Sequence, residues 1–141
     1  MLSTRPIGCA VLLVLVLVST GADAACTEKR FIEFLMHFST DAGFSQERTH
    51  WPLKLTTEQF GDPKSATVSY LNDRTQYWGI EKPVFDFLRA NPNMRVYPQK
   101  QTSRLVVLTF GIEDADIVFD LIFEKTGTRC WMLSAVRDFE R

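Results

Sequence analysis

Residues 116–124 read Asp-Ile-Val-Phe-Asp-Leu-Ile-Phe-Glu, and no other stretch limits the fold as much. In an extended chain Ile117, Phe119, Leu121 and Phe123 share one face, while Val118 and Ile122 occupy the other. A strand apolar on both faces has to be covered on both sides or lie inside a sheet. Its flanks, 104–110 and 129–138, are also strand candidates of suitable length. The intervening segments supply turns. Gly111 with Glu113, Asp114 and Ala115 forms one, and Lys125-Thr126-Gly127-Thr128 the other, where Gly127 tolerates a positive φ. The last forty or so residues thus predict a meander of long antiparallel strands.

Upstream, the period changes. Phe31, Phe34, Leu35 and Phe38 fall at i, i+3, i+4 and i+7, one apolar stripe of a helix that Thr27 would cap and Glu28 would favour in its first turn. Residues 39–43 end it, and 44–49 can form another short turn. Trp51-Pro52-Leu53-Lys54-Leu55 alternates like a strand start, which Pro52 limits to an edge or a first position. Residues 58–64 read as a loop around Gly61-Asp62-Pro63. Residues 66–71 are a strand candidate in which Val68 and Tyr70 alternate with Thr67 and Ser69, and Asn72-Asp73 turns the chain. A second helix spans 81–90, with Pro83 near its start, Asn91-Pro92 at its end, and Val84, Phe87 and Leu88 on one face. Helices come first and strands last, with no repeat or linker between. The fold class is α+β, with N-terminal helices packed on one face of a curved, mainly antiparallel sheet.

Residues 1–24 read as a signal peptide, and 25–141 as one domain. Arg5 precedes an unbroken apolar run at 7–18, and Ala22-Asp23-Ala24 supplies the small-residue cleavage pattern. Twelve helical residues rise only about 18 Å, against roughly 30 Å of bilayer core, so a permanent span is not expected. The chain is read as exported, to a periplasmic or extracellular space. Its formal net charge of −1 argues against nucleic acid as a partner. Cys9 leaves with the leader, so Cys26 and Cys130 form an even pair in an oxidising compartment, a candidate disulfide with two free thiols as the alternative. A lipid anchor on Cys26 would want an apolar residue three positions earlier, where Asp23 stands. The wide spacing of these cysteines gives no support to metal binding.

Catalytic signatures are absent: no nucleophile elbow, phosphate loop, dinucleotide fingerprint or zinc-protease motif occurs. His37, Ser39 and Asp41 are close in sequence, but positions two apart do not face each other on a helix. His37 and His50 are the only histidines, too few for a three-histidine zinc site. The acidic turn Glu113, Asp114 and Asp116 lacks a full oxygen set for calcium. No cofactor and no metal are expected.

Two constellations stand out as ligand-contact candidates. In the group Asp41, Arg48, His50 and Trp51, Arg48 or His50 would lie at a pocket mouth and hold an anionic or carbonyl ligand, with Arg48 alternatively paired to Asp41 as a loop brace. Tyr77 and Trp78 each offer a large apolar body with a polar edge, suited either to core or rim packing or to contact. All eleven Phe, three Trp and three Tyr follow the leader, more rings than a small core needs.

The pattern Phe31-x-x-Phe34-x-x-x-Phe38, then Asp41-x-x-Phe44-x-x-x-Arg48-x-x-Trp51-Pro52-Leu53, with Trp131-Met132-Leu133 near the end, resembles an uncharacterised bacterial exported family. That family has a nuclear-transport-factor-2-like fold, a cystatin-like α+β cone of helices against a curved sheet. The resemblance covers roughly residues 27–139 and carries no catalytic set. It implies an architecture. On that architecture the favoured expectation is an exported, non-catalytic domain that binds a small apolar ligand or envelope component in the cone, with a homodimer through the sheet, which this superfold often shows, as an added expectation. Two other expectations are a protein-interaction module of inhibitor or immunity type, using a patch at Tyr77-Trp78 or the sheet, and an isomerase- or hydratase-like enzyme. The enzyme would need a buried carboxylate, for which Asp86, Asp120 and Asp138 are the candidates and Asp120, between Phe119 and Leu121, the sharpest.

Overall fold

A computed structural model describes residues 26–112, 117–125 and 130–140. The leader 1–24, the acidic turn at Glu113, Asp114 and Asp116, and the Gly127 turn lie outside the described residues. Along the chain come α1 (Phe31–Thr40), α2 (Ala42–Glu47), β1 (Thr49–Gln59), β2 (Asp62–Leu71), a short 3-10 turn (Arg74–Gln76), α3 (Val84–Ala90), β3 (Met94–Gln101), β4 (Leu105–Ile112), β5 (Ile117–Lys125) and β6 (Trp131–Glu140). The strands form one six-stranded sheet in the order β2-β1-β6-β5-β4-β3. Every pairing is antiparallel except β1 with β6, which is parallel.

The two-faced strand β5 lies inside the sheet, between β4 and β6, as its composition requires. Toward the helices the register aligns Phe119 with Phe110, Leu121 with Leu108, and Phe123 with Val106. All six are buried. Against this face α1 packs Phe34 and Phe38, and α3 packs Phe87. Two ring clusters result. Phe123 meets the α1 rings edge-on, while Phe110 stacks on Phe119 at 4.5 Å and both meet Phe87. At about 1.5–3 kcal/mol per buried Phe, these rings are a leading source of stability. Register shifts in several ladders, among them one in β1 and one in β3, bend the sheet around that core.

Several boundaries differ from expectation. α1 begins at Phe31, not after Thr27, because Cys26 is bonded to Cys130 and Glu28 is engaged by neighbours from later in the chain. Glu33 supports the late start: its carboxylate accepts from the Arg30 backbone N–H at 3.3 Å and from the guanidinium at 2.8 Å. Asp41 ends α1 and caps α2, accepting from the Phe44 N–H at 2.9 Å. Pro52 is not at an edge. It lies in a strand flanked on both sides, within the interval where the β1–β6 register shifts between Thr49 and Lys54, a place where a missing N–H is tolerated.

The expected loop at 58–64 is a tight hairpin pairing Gln59 with Asp62, made possible by Gly61 at φ +81°. α3 starts only after Pro83, and β3 is a strand where none was expected. No helix among the described residues is long and apolar enough to cross a membrane.

Candidate functional site

Arg48, His50 and Trp51 follow one another out of α2 into β1, yet they do different things. The Arg48 guanidinium lies 5.3 Å over the Phe44 ring and 3.9 Å from Glu28 Oε2, and its Nη1 is 4.0 Å from Cys26 Sγ. It does not pair with Asp41, whose carboxylate caps α2 and faces His37 Nε2 at 3.7 Å. His37 stacks on Phe44 at 3.7 Å and bonds Glu28 Oε1 through Nδ1 at 2.9 Å. Burial alone would raise the Glu28 carboxyl, but the bonds from His37, Thr27 and its own backbone, with the Arg48 charge, hold it below its ordinary value. These contacts brace the N-terminal segment against α1 and α2.

His50 is exposed. Half-buried Trp51 donates through Nε1 to the Gln46 carbonyl at 3.1 Å and lines a cavity of about 10 Å³ with Arg74 and Ile80. That is room for one water.

Tyr77 and Trp78 close the other ring cluster. Tyr77 is buried, and Trp78 is 46% exposed although its ring packs on Phe87 and Phe119 at 5.5 and 5.3 Å. Gly79 allows this approach, since a Cβ there would lie 2.6 Å from Tyr77 Cε1. The Tyr77 hydroxyl is buried beside the Asp138 carboxylate without a well-formed hydrogen bond. Burial first, and then the Asp138 charge, push the phenol well above its usual range. Burial raises Asp138 as well, partly offset by Tyr77.

The three carboxylates considered for proton transfer are dispersed. Asp86 is exposed near Arg89, and Asp138 is part of the Tyr77 cluster. Asp120 is 1% exposed, but it lies on the sheet face opposite the helices, in a row with Thr109 and Arg137. Thr109 donates to its Oδ1 at 2.7 Å, Arg137 stands 3.8 Å away, and Oδ2 has no hydrogen bond. Burial pushes this carboxyl up, opposed by Thr109 and Arg137 and reinforced by Glu58.

A carboxyl whose folded pKa is raised destabilises the fold as pH climbs from the unfolded range, about 3.9, through the folded value. Asp120→Asn, which still accepts from Thr109, is therefore expected to gain stability over the parent between pH 4 and 7 and to match its pH dependence below that. Urea midpoints across this range provide the check, and parallel pH profiles would contradict the assignment.

An opening with an uncharged lining is elsewhere. A cleft of about 270 Å³ opens where α1 and α3 meet the β3 side of the sheet. Leu35 of α1 and Val84 and Leu88 of α3 form its helical walls, and Val96, Pro98 and Leu108 its sheet side. Phe85 and Tyr97, 37% and 44% exposed, stand at the rim. Ser39 adjoins the floor, with a buried hydroxyl that has no hydrogen-bond partner. No charged side chain lines the cleft. A second depression, about 470 Å³ on the opposite sheet face, is lined by Lys100, Glu124 and Arg137 among others. None of Arg48, His50, Trp51, Tyr77 or Trp78 lines either opening.

Neither a protein-family model nor a curated protein matches the sequence. Solved structures do. A nuclear-transport-factor-2-like protein from Bacteroides fragilis superposes with a TM-score of 0.55 at 20% identity, over 79% of this chain and 47% of that one. A cystatin-like protein from Bacteroides caccae gives 0.53 at 15% identity, over 80% of this chain and 78% of that one. This chain thus spans about half the length of the first and most of the second. It has the nuclear-transport-factor-2-like fold, as the resemblance of its sequence implied.

Proposed function

We propose that the chain is an exported, non-catalytic domain that binds a small, uncharged apolar molecule in the cleft between α1, α3 and the β3 side of the sheet. The uncharged apolar lining of that cleft is the observation that carries the reading. Its volume lies just under the lower end of ligand pockets, about 300 Å³, which suits a compact molecule. The deeper cone interior is filled by Phe34, Phe38, Phe110, Phe119 and Phe123, so the site is displaced from the centre expected of a cone to its side. Export is supported by the leader and by the Cys26–Cys130 disulfide, which belongs to an oxidising compartment.

The interaction-module reading loses most of its surface at Tyr77–Trp78, because Tyr77 is buried and Trp78 packs on the core. The isomerase reading lacks a carboxylate at the cleft, since neither Asp120 nor Asp138 lines it.

The test is a titration of the native protein with the neutral fluorophore N-phenyl-1-naphthylamine. Saturable, one-to-one binding is expected. Phe85→Lys, at the exposed rim, is expected to weaken it about tenfold or more, since burying a Phe-sized surface is worth roughly 1.5–3 kcal/mol. Unsaturable binding, or a Phe85→Lys protein that binds as well as the parent, would overturn the proposal.

A further inference from the structure

The two edges of the sheet differ in kind. The β3 edge carries Pro98, a register shift between Pro98 and Lys100, and the cations Arg95 and Lys100. These are the devices that keep an edge strand from pairing with another chain. The β2 edge has no such guard along most of its length. β2 runs for ten residues, Asp62–Leu71, with β1 as its only ladder partner among the described residues. From 65 to 72 it reads Ser-Ala-Thr-Val-Ser-Tyr-Leu-Asn, without a charge or a proline. Val68 and Tyr70 are 53% and 62% exposed, and Ala66, Thr67 and Ser69 are exposed as well. An outward row of backbone N–H and C=O groups on so long and uncharged a strand is a template for another strand.

We propose that this edge pairs antiparallel with β2 of a second copy of the chain, about a two-fold axis perpendicular to the sheet, joining two sheets into one. Such an axis keeps each side chain on its own face, so residue i meets residue j with i + j even. Charge selects the register. Lys64 precedes the uncharged run and Asp73 follows it. Centring on Val68 sets Lys64 opposite Asn72 of the second copy and next to its Asp73, twice by symmetry. Centring on Ser69 would oppose Lys64 to Arg74, a like-charge pair, and centring on Thr67 would oppose it to Tyr70.

In the favoured register Val68 abuts its own copy and Tyr70 lies across Ala66 on the outer face. On the face turned toward the helices, Thr67 meets Ser69, a pairing that exchanges hydrogen bonds. A second copy fits this edge because it brings the same uncharged run and the complementary ends. A basic or acidic partner strand would find no counter-charges between 65 and 72.

Sedimentation velocity on the intact, disulfide-bonded protein at tens of micromolar tests this. A dimer is expected, and Thr67→Lys/Ser69→Lys is expected to sediment as a monomer with an unchanged far-ultraviolet spectrum. Both substitutions are on exposed positions facing away from the outer sheet surface, so a dimer built face to face on that surface would survive them. If the double variant is unfolded, hydrogen exchange of the parent decides. Slowed exchange of alternate amides in 65–71 that sets in with dimer concentration supports edge pairing. A monomeric parent, a double variant that is still dimeric, or amides in 65–71 that exchange freely in the dimer would overturn it.

Discussion

Replacing Cys26 and Cys130 together by alanine is expected to lower the stability of the domain by about 4–5 kcal/mol. The two cysteines are 104 residues apart and their Cα atoms 5.3 Å apart, so the bond closes nearly the whole described chain into one loop. Opening a loop of that length returns a large closure entropy to the unfolded chain. Domains of this size are stable by only about 5–15 kcal/mol, so the variant would stand near the edge of folding. With urea slopes of about 1–3 kcal/mol per molar, the unfolding midpoint should fall by about 1.3–5 M.

Alanine is the right replacement at Cys130, which is 6% exposed and would strand a serine hydroxyl. A local effect adds to the entropic one. The disulfide holds the segment from which Glu28 reaches His37 and Arg48, and Glu28 stabilises the fold because its folded pKa is lowered. That contribution is present above the ordinary glutamate range and is lost as pH falls through the lowered value. The disulfide effect should therefore be larger at pH 7 than at pH 3. A loss under about 1 kcal/mol would mean that the unfolded chain is already compact, or that Glu28, His37 and Arg48 hold the segment by themselves.

How far the fold is legible in the sequence tracks how local each cause is. β5 announced itself because its two apolar faces are a property of nine consecutive residues, and its central place follows. The Phe31–Phe38 stripe did the same for α1, and the even cysteine pair for the disulfide. The start of α1 was misplaced because the competing use of Glu28 comes from His37 and Arg48, nine and twenty residues away. β3 was missed for a related reason. Pro98 and the polar run Gln99 to Gln101 hide a strand that is held by β4, not by its own pattern. The parallel β1–β6 pairing has no local signature at all, since it joins the beginning and end of the fold.

The cleft is the extreme case. Leu35, Phe85, Tyr97 and Leu108 come from four different elements, and Phe85 is silent in the sequence because the periodicity of α3 picks out Val84, Phe87 and Leu88. Arg48, Trp51, Tyr77 and Trp78 are residue types suited to recognition, and the same chemistry suits bracing and packing. Tyr77 and Trp78 are set against Phe119, and Arg48 against Phe44.

Phe123→Ala tests whether the rings are the core or the walls of a vacated pocket. Phe123 is fully buried in β5 and meets Phe31, Phe34 and Phe38 at 5.5, 5.7 and 5.3 Å, all edge-on. Removing the ring forfeits its transfer free energy and three aromatic contacts, and leaves a void that sheet and helix cannot both close. A loss of about 3–5 kcal/mol is expected by urea unfolding, toward the upper end because the surroundings are a strand in mid-sheet and a helix tied to it through Phe34 and Phe38. The void is apolar on every side, so it should stay dry and take up benzene or xenon, which would restore part of the lost stability. Phe85→Lys, at the cleft rim, makes the contrast: it should weaken N-phenyl-1-naphthylamine binding and leave the unfolding free energy within about 0.5 kcal/mol of the parent. If instead Phe123→Ala costs little and abolishes probe binding, the ligand site is the ring-lined interior, and the cleft between α1 and α3 is only a surface groove.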